Sequence, residues 1–176
     1  MKMLRKVAAD LNVRMKSHGV EAPSIDVIAY ALSIVTNTLS IIGVSLLIGL
    51  VTGEFGRTLL LLGIFALIRY LSGGYHLKSG LWCIVVSSAM MGGLPHIRLD
   101  EQWINILTVI SLVVFLWFAP ANYDKYARIS PKYFPMLKIT SALIVASNFY
   151  FVSDLLATAV FTQALLLPFK EGGGTG

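Results

Sequence analysis

Charge is what this sequence has least of. Only 13% of its residues are Asp, Glu, Lys or Arg, against 56% that are hydrophobic, whereas a water-soluble globule carries about 25% charged residues. With a mean hydropathy of +0.77, the chain is read as an integral membrane protein. At 176 residues it has no room for a large soluble domain as well. Cysteine occurs once, at Cys83, which excludes an intrachain disulfide. Residues 1–24 lack the continuous apolar core of a cleaved signal peptide, so the N-terminus is expected to stay on the mature protein. No clustered ligands at suitable spacing are present, so neither a metal site nor any other cofactor is expected, and no nucleic-acid partner is expected either.

What remains is grease with sparse punctuation. The expected fold is all-α: a polytopic membrane protein of about six transmembrane or half-membrane helices (25–170), preceded by an amphipathic N-terminal helix (1–24) and followed by a tail or scar (171–176). In residues 1–19, Lys2, Arg5, Lys6, Arg14 and Lys16 accompany Leu4, Val7, Ala8, Leu11 and Met15 at helical spacing. This suits a helix on an anionic membrane surface, or an ordinary solvated cytoplasmic helix. Ala22-Pro23-Ser24 breaks the pattern, with Ser24 placed to cap a long apolar helix from Ile25 to about Val51. In that helix Gly43, Ser45, Gly49 and Gly53 allow close helix contact, a homodimer included.

Thr52 to Arg57 reads as a turn. Thr58–Ile68 and Leu81–Leu94 are both shorter than the roughly 20 residues of a full span, so the segment between them is expected to dip into the membrane. Gln102–Ala119 is a strong span with Trp103 and Trp117 near its ends. Pro120–Lys138 reads as a polar loop. Ile139–Val152 and Leu155–Phe169 form either a hairpin of helices or one kinked helix with Asp154 buried.

Basic residues set the expected orientation. With the N-terminus inside, twelve Lys and Arg fall on inner segments (1–24, Arg69 with Lys78, Lys125 to Lys138, and Lys170), and two, Arg57 and Arg98, fall outside. The expected location is a cell membrane, with the N-terminus and the stretch Arg69–Cys83 on the cytoplasmic side.

That stretch, Arg69-Tyr-Leu-Ser-Gly-Gly-Tyr-His-Leu-Lys-Ser-Gly-Leu-Trp-Cys83, gathers a cation, adjacent glycines, a histidine and the one cysteine. A cysteine attacks as its thiolate and needs a neighbour to take its proton. On one continuous helix His76 and Cys83 would lie about 10 Å apart along the axis, too far for proton transfer. A broken helix is therefore expected, with Gly73, Gly74 and Gly80 supplying the backbone freedom. If Ser79 caps the helix that follows, Cys83 lies in its first turn, where the dipole and unpaired N–H groups favour negative charge on sulfur or on an oxyanion. Lys78 and Arg69 add positive potential. The bland alternative makes Cys83 a packing residue, His76 interfacial and Arg69 a snorkelling marker. Ser79, Asn37, Asn148 and Asp154 are possible orienters of the pair. His18 and His96 receive no role.

Through Arg69, the Gly73-Gly74 pair, His76 and Cys83, between short hydrophobic segments, the chain resembles the accessory gene regulator B (AgrB) family of bacterial membrane cysteine endopeptidases. The resemblance implies that Cys83 is the nucleophile and His76 its base in cutting a small peptide precursor of a quorum-sensing signal. It further implies an enzyme thioester that is passed to a thiol or hydroxyl of the peptide, closing a thiolactone or lactone. The basic loop with Lys125, Arg128 and Lys132 is then either topology-setting charge or a docking surface for an acidic tail of the precursor. A small transporter or helical scaffold is the competing reading, with the broken segment lining a path.

Overall fold

The computed structural model describes residues 2–75, 79–122 and 130–169, and among these the regular elements are all helical. Helix α1 (Lys2–Ser17) lies against the start of α2 (Ile25–Val51). Ala8 and Asn12 are buried in that contact. The Asn12 amide donates to Pro23 O at 2.7 Å and Arg5 pairs with Asp26 at 3.1 Å. Val7 and Leu11, expected on the same face as Ala8, stay exposed, because Asn12 takes the inward position one turn on from Ala8. The Ser24 hydroxyl accepts from Val27 N, so the expected cap is present.

A turn at Thr52-Gly53 leads into α3 (Phe55–Ser72). Arg57 belongs to the first turn of α3 and not to the preceding loop, and the helix runs on past Arg69. Its 18 residues are long and apolar enough to cross a membrane, which corrects the expectation of a short segment here. An arginine near each end leaves the apolar length between them intact. Next come α4 (Gly80–Gly93), a single 3-10 turn (Leu94–His96) and α5 (Glu101–Phe118), which Asp100 caps at Trp103 N. A second 3-10 turn (Pro131–Tyr133) opens α6 (Phe134–Ala146), and α7 (Asn148–Phe151) and α8 (Asp154–Leu166) complete the order. Lys138 therefore stands in a helix that begins four residues before it, not in the polar loop expected from its charge.

Four stretches are long and apolar enough to span a bilayer: Ile25–Val51, Phe55–Ser72, Glu101–Phe118 and Pro131–Phe151. Helices α4 and α8 are shorter. Only 11% of the most apolar window of α2 is buried, so its apolar side chains face outward, as lipid requires and water would oppose.

Between α6 and α8 the chain turns as a hairpin of helices. Val152 takes φ 47, and Asn148, fully buried, accepts from Ser153 N and donates to Ser153 O and to Thr108 Oγ1. Asp154 opens α8 and receives two bonds from Arg57 at 3.0 Å. Most of α8 is buried, including every residue from Leu155 to Val160, and its Ala157, Ala159 and Ala164 let neighbours approach closely. A helix apolar on every side belongs inside, and α8 is the central post of the bundle. Ile68 of α3, Phe115 of α5, Val145 of α6 and Val160 of α8 make one core cluster; Leu61, Met91, Leu155 and Ala159 make a second.

The bundle has two polar ends. At one, Arg57 joins Asp154, Pro95 O and Ile97 O, while Arg98 pairs with Glu54 at 2.7 Å. At the other, the last residues of α3, α5 and α8 meet.

Candidate active site

Ser72 ends α3, and Gly73 follows at φ 68, ψ −144 with Gly74 at φ 127. A Cβ opposes both conformations, so adjacent glycines are the residues that can stop the helix this way. Once it stops, backbone groups must find partners elsewhere. Gly74 N donates to Ala121 O at 3.0 Å, Tyr75 N donates to Leu166 O at 3.1 Å, and Ala121 N donates to Ser72 O at 2.8 Å. The segment Gly73–Tyr75 is thereby stitched to the chain just after α5 and to the end of α8. The Tyr75 ring meets that of Phe169 at 6.0 Å between centroids.

Side chains fasten the same segment from beneath. Gln163, wholly buried on α8, donates from its one amide nitrogen to the Ser72 hydroxyl at 2.9 Å and to Gly73 O. Its oxygen accepts from Arg69 Nη1 at 3.3 Å, and Arg69 Nη2 donates to Tyr75 O at 2.7 Å. Arg69 thus turns inward and clamps the chain that leads away from its own helix. It is not a cation snorkelling to the membrane surface.

After the break, α4 starts at Gly80 with Ser79 in the N-cap position, its backbone extended at φ −91, ψ 118. The Ser79 hydroxyl makes no capping bond; its carbonyl accepts from Cys83 N at 2.9 Å. The expected position holds and the expected side-chain bond does not. Cys83, half-buried, therefore lies in the first turn. The amides of Gly80, Leu81 and Trp82 precede the first intrahelical bond and have no acceptor within the helix.

Helix α4 also begins well along its neighbour. A Cβ on Gly80 would come within 3.1 Å of Asn37 Nδ2, and one on Gly92 within 2.9 Å of Ile48, so α2 and α4 run parallel. Asn37 is twelve residues beyond Ile25, which places the start of α4 roughly 18 Å along α2 at 1.5 Å per residue. No single helix runs from Arg69 to Cys83. The chain stops, is pinned to α8, and restarts beside the middle of the longest helix.

The family model described as Accessory gene regulator B matches residues 2–168. The chain belongs to this family. Membership places it in accessory gene regulator quorum-sensing processing. A protein of Halalkalibacterium halodurans, provisionally named AgrB-like protein, is 24% identical over 166 residues, covering 94% of this chain and 84% of the relative. No solved structure matches the chain.

Set on the AgrB-family chain, the predicted residues divide into four groups. Arg69, Gly73 and Gly74 meet at the end of α3, while Ser79 and Cys83 open α4, with Asn37 against its first turn. Asn148 and Asp154 stand at the opposite end, tied into the α7–α8 turn and to Arg57, and do not approach Cys83. His76, Lys78, Lys125 and Arg128 lie outside the described residues. Lys132 is exposed in the 3-10 turn before α6, its ammonium 4.9 Å from the Tyr133 ring centroid. Spacing gives Gln163 no role, although a lone amide in the apolar run Leu155–Phe169 is the signal that marks it.

Proposed function

We propose that the chain is a membrane cysteine endopeptidase that cuts the peptide precursor of a quorum-sensing signal and promotes its cyclisation. The observation that carries this reading is the placement of Cys83 in the first turn of a helix that restarts after a pinned break, in a chain of the AgrB family. The Cys83 sulfur attacks the carbonyl carbon of the scissile peptide bond and His76 takes the thiol proton. The oxyanion of the tetrahedral intermediate accepts from the free amides of the first turn of α4. Collapse breaks the C–N bond, His76 returns the proton to the departing amine, and the acyl group remains on Cys83 as a thioester. A thiol or hydroxyl within the peptide then attacks that carbonyl, closes the ring and releases Cys83. Exchange outruns hydrolysis where water is scarce, and a site partway along a lipid-facing helix supplies such a place.

In this reading the N-terminus and the site face the cytoplasm, and Lys125, Arg128 and Lys132 receive an acidic tail of the precursor. Cys83→Ser should abolish cleavage of a co-expressed precursor, with mass spectrometry of the peptide as the readout; cleavage at the parent rate rejects the peptidase. Reversing Lys125, Arg128 and Lys132 to Glu should weaken processing while membrane insertion persists. Unchanged processing removes the docking role alone.

A further inference from the structure

Gln163 is the polar side chain at this end of the bundle that the proposed chemistry does not use. It is fully buried in a largely apolar helix, where an amide without partners is costly. All of its contacts converge on one feature. Its nitrogen holds the Ser72 hydroxyl, the last side chain of α3, and the Gly73 carbonyl, the first beyond it. Its oxygen holds Arg69, whose other nitrogen holds Tyr75 O. Gly74 packs directly over this pair: a Cβ there would stand 3.0 Å from Gln163 Nε2 and 3.4 Å from Arg69 Nη1. One amide therefore fixes both the end of α3 and the path of the three residues that precede His76 in the chain.

We infer that Gln163 is a positioning residue of the peptidase, acting through the Gly73 carbonyl and Arg69 to set where the chain enters His76. The inference rests on the peptidase reading above. A residue that only stabilised the bundle would be expected to cluster with the apolar contacts of α8. Gln163 instead spends its polar groups on the last turn of α3 and on Gly73 O, the first carbonyl of the segment that leads to the cysteine-bearing helix. Its effect belongs in the alignment of base and nucleophile, where a displacement of about 1 Å can cost on the order of 100-fold in rate.

The test uses the full chain in membranes with a precursor peptide. Gln163→Met keeps length and removes the hydrogen bonds; Gln163→Asn keeps an amide too short to reach Gly73 O and serves where the Met variant fails to accumulate. Expected is a fall in kcat of about 10- to 100-fold per folded molecule with KM within about twofold of the parent. Alkylation of Cys83, the one cysteine in the chain, should slow in parallel, because a displaced base no longer assists the thiol. Parent values of kcat and of the labelling rate in whichever variant folds, with only the yield reduced, overturn the inference and leave Gln163 a structural residue. That result is distinct from failure of the peptidase itself, which Cys83→Ser reports: if the serine variant still cleaves, the reaction is not one that Gln163 could serve.

Discussion

Replacing Gly74 with alanine asks whether the segment after α3 has to sit where it does. Its φ of 127 is open to glycine and costs an L-residue about 1–3 kcal/mol. The added Cβ would also press on Gln163 Nε2 at 3.0 Å, Arg69 Nη1 at 3.4 Å and Leu166 O at 3.7 Å. The chain can escape by lifting away from α8, which gives up the bonds from Gly74 N to Ala121 O and from Tyr75 N to Leu166 O. Each is worth about 1 kcal/mol net, so release and strain both stand near 2 kcal/mol, and the pinned arrangement loses its advantage. The core around Ile68, Phe115 and Val160 lies below the segment and is not asked to move. Folded protein should therefore accumulate at the parent level while cleavage per molecule falls about twofold where strain and release balance, and about sixfold where the strain reaches about 3 kcal/mol. Precursor cleavage in isolated membranes, normalised to folded protein, reads this directly. Parent turnover in Gly74→Ala would refute the reasoning, since it would show that the pinned path is not needed for the chemistry.

Two further pairs of substitutions probe the bundle itself. A Cβ on Gly49 would fall 2.5 Å from Thr58 Oγ1 and 3.3 Å from the backbone of Phe55, whereas one on Gly43 meets nothing within 4 Å. Gly49→Ala should force α2 and α3 apart at a cost of about 1–3 kcal/mol, and Gly43→Ala should be neutral or slightly stabilising; equal unfolding midpoints in detergent would contradict the packing. At the far end, Arg57 serves Asp154, Pro95 O and Ile97 O, while Asp154→Asn leaves the arginine its carbonyl partners. Arg57→Met should therefore destabilise more than Asp154→Asn, which should cost about 1–3 kcal/mol. Thermal unfolding in detergent tests the order, and the reverse order would show that the carbonyl contacts contribute nothing.

Much of this architecture is written in local signals. Ser24 marks the start of α2 because a hydroxyl can accept the orphan amide of a first turn, and Gly73-Gly74 marks the end of α3 because Cβ forbids the backbone path taken there. The glycine pair and Gly80 announce the break before any contact is known. Reading stops where partners are far apart in sequence. Arg69 looks like a membrane-surface cation until Gln163, 94 residues away, meets it. Small residues in α2 look alike, yet Gly49 touches Thr58 and Gly43 touches nothing, because which face of a uniformly apolar helix turns inward is decided by its neighbours. The same uniformity hides α8, which reads as the closing arm of a hairpin and is the buried helix that α3 and α5 pack against.

The two ends of the bundle solve the same problem differently, and the difference points at Cys83. Polar groups at membrane depth must be paired by protein or met by water. At the Arg57 end, cations and carboxylates are matched to one another and to carbonyls. At the glycine end, Gln163 and Arg69 bond each other, the end of α3 and the segment leaving it. Among the described residues, the Asn37 amide stands against the first turn of α4 with no hydrogen-bond partner, and the amides of Gly80, Leu81 and Trp82 lie ahead of the first intrahelical bond. Gly49 of α2 packs on Thr58 near the start of α3, so Asn37, twelve residues earlier, stands level with the last turn of α3, and these donors open at the glycine end of the bundle. In the proposed peptidase these are the donors that the oxyanion would use.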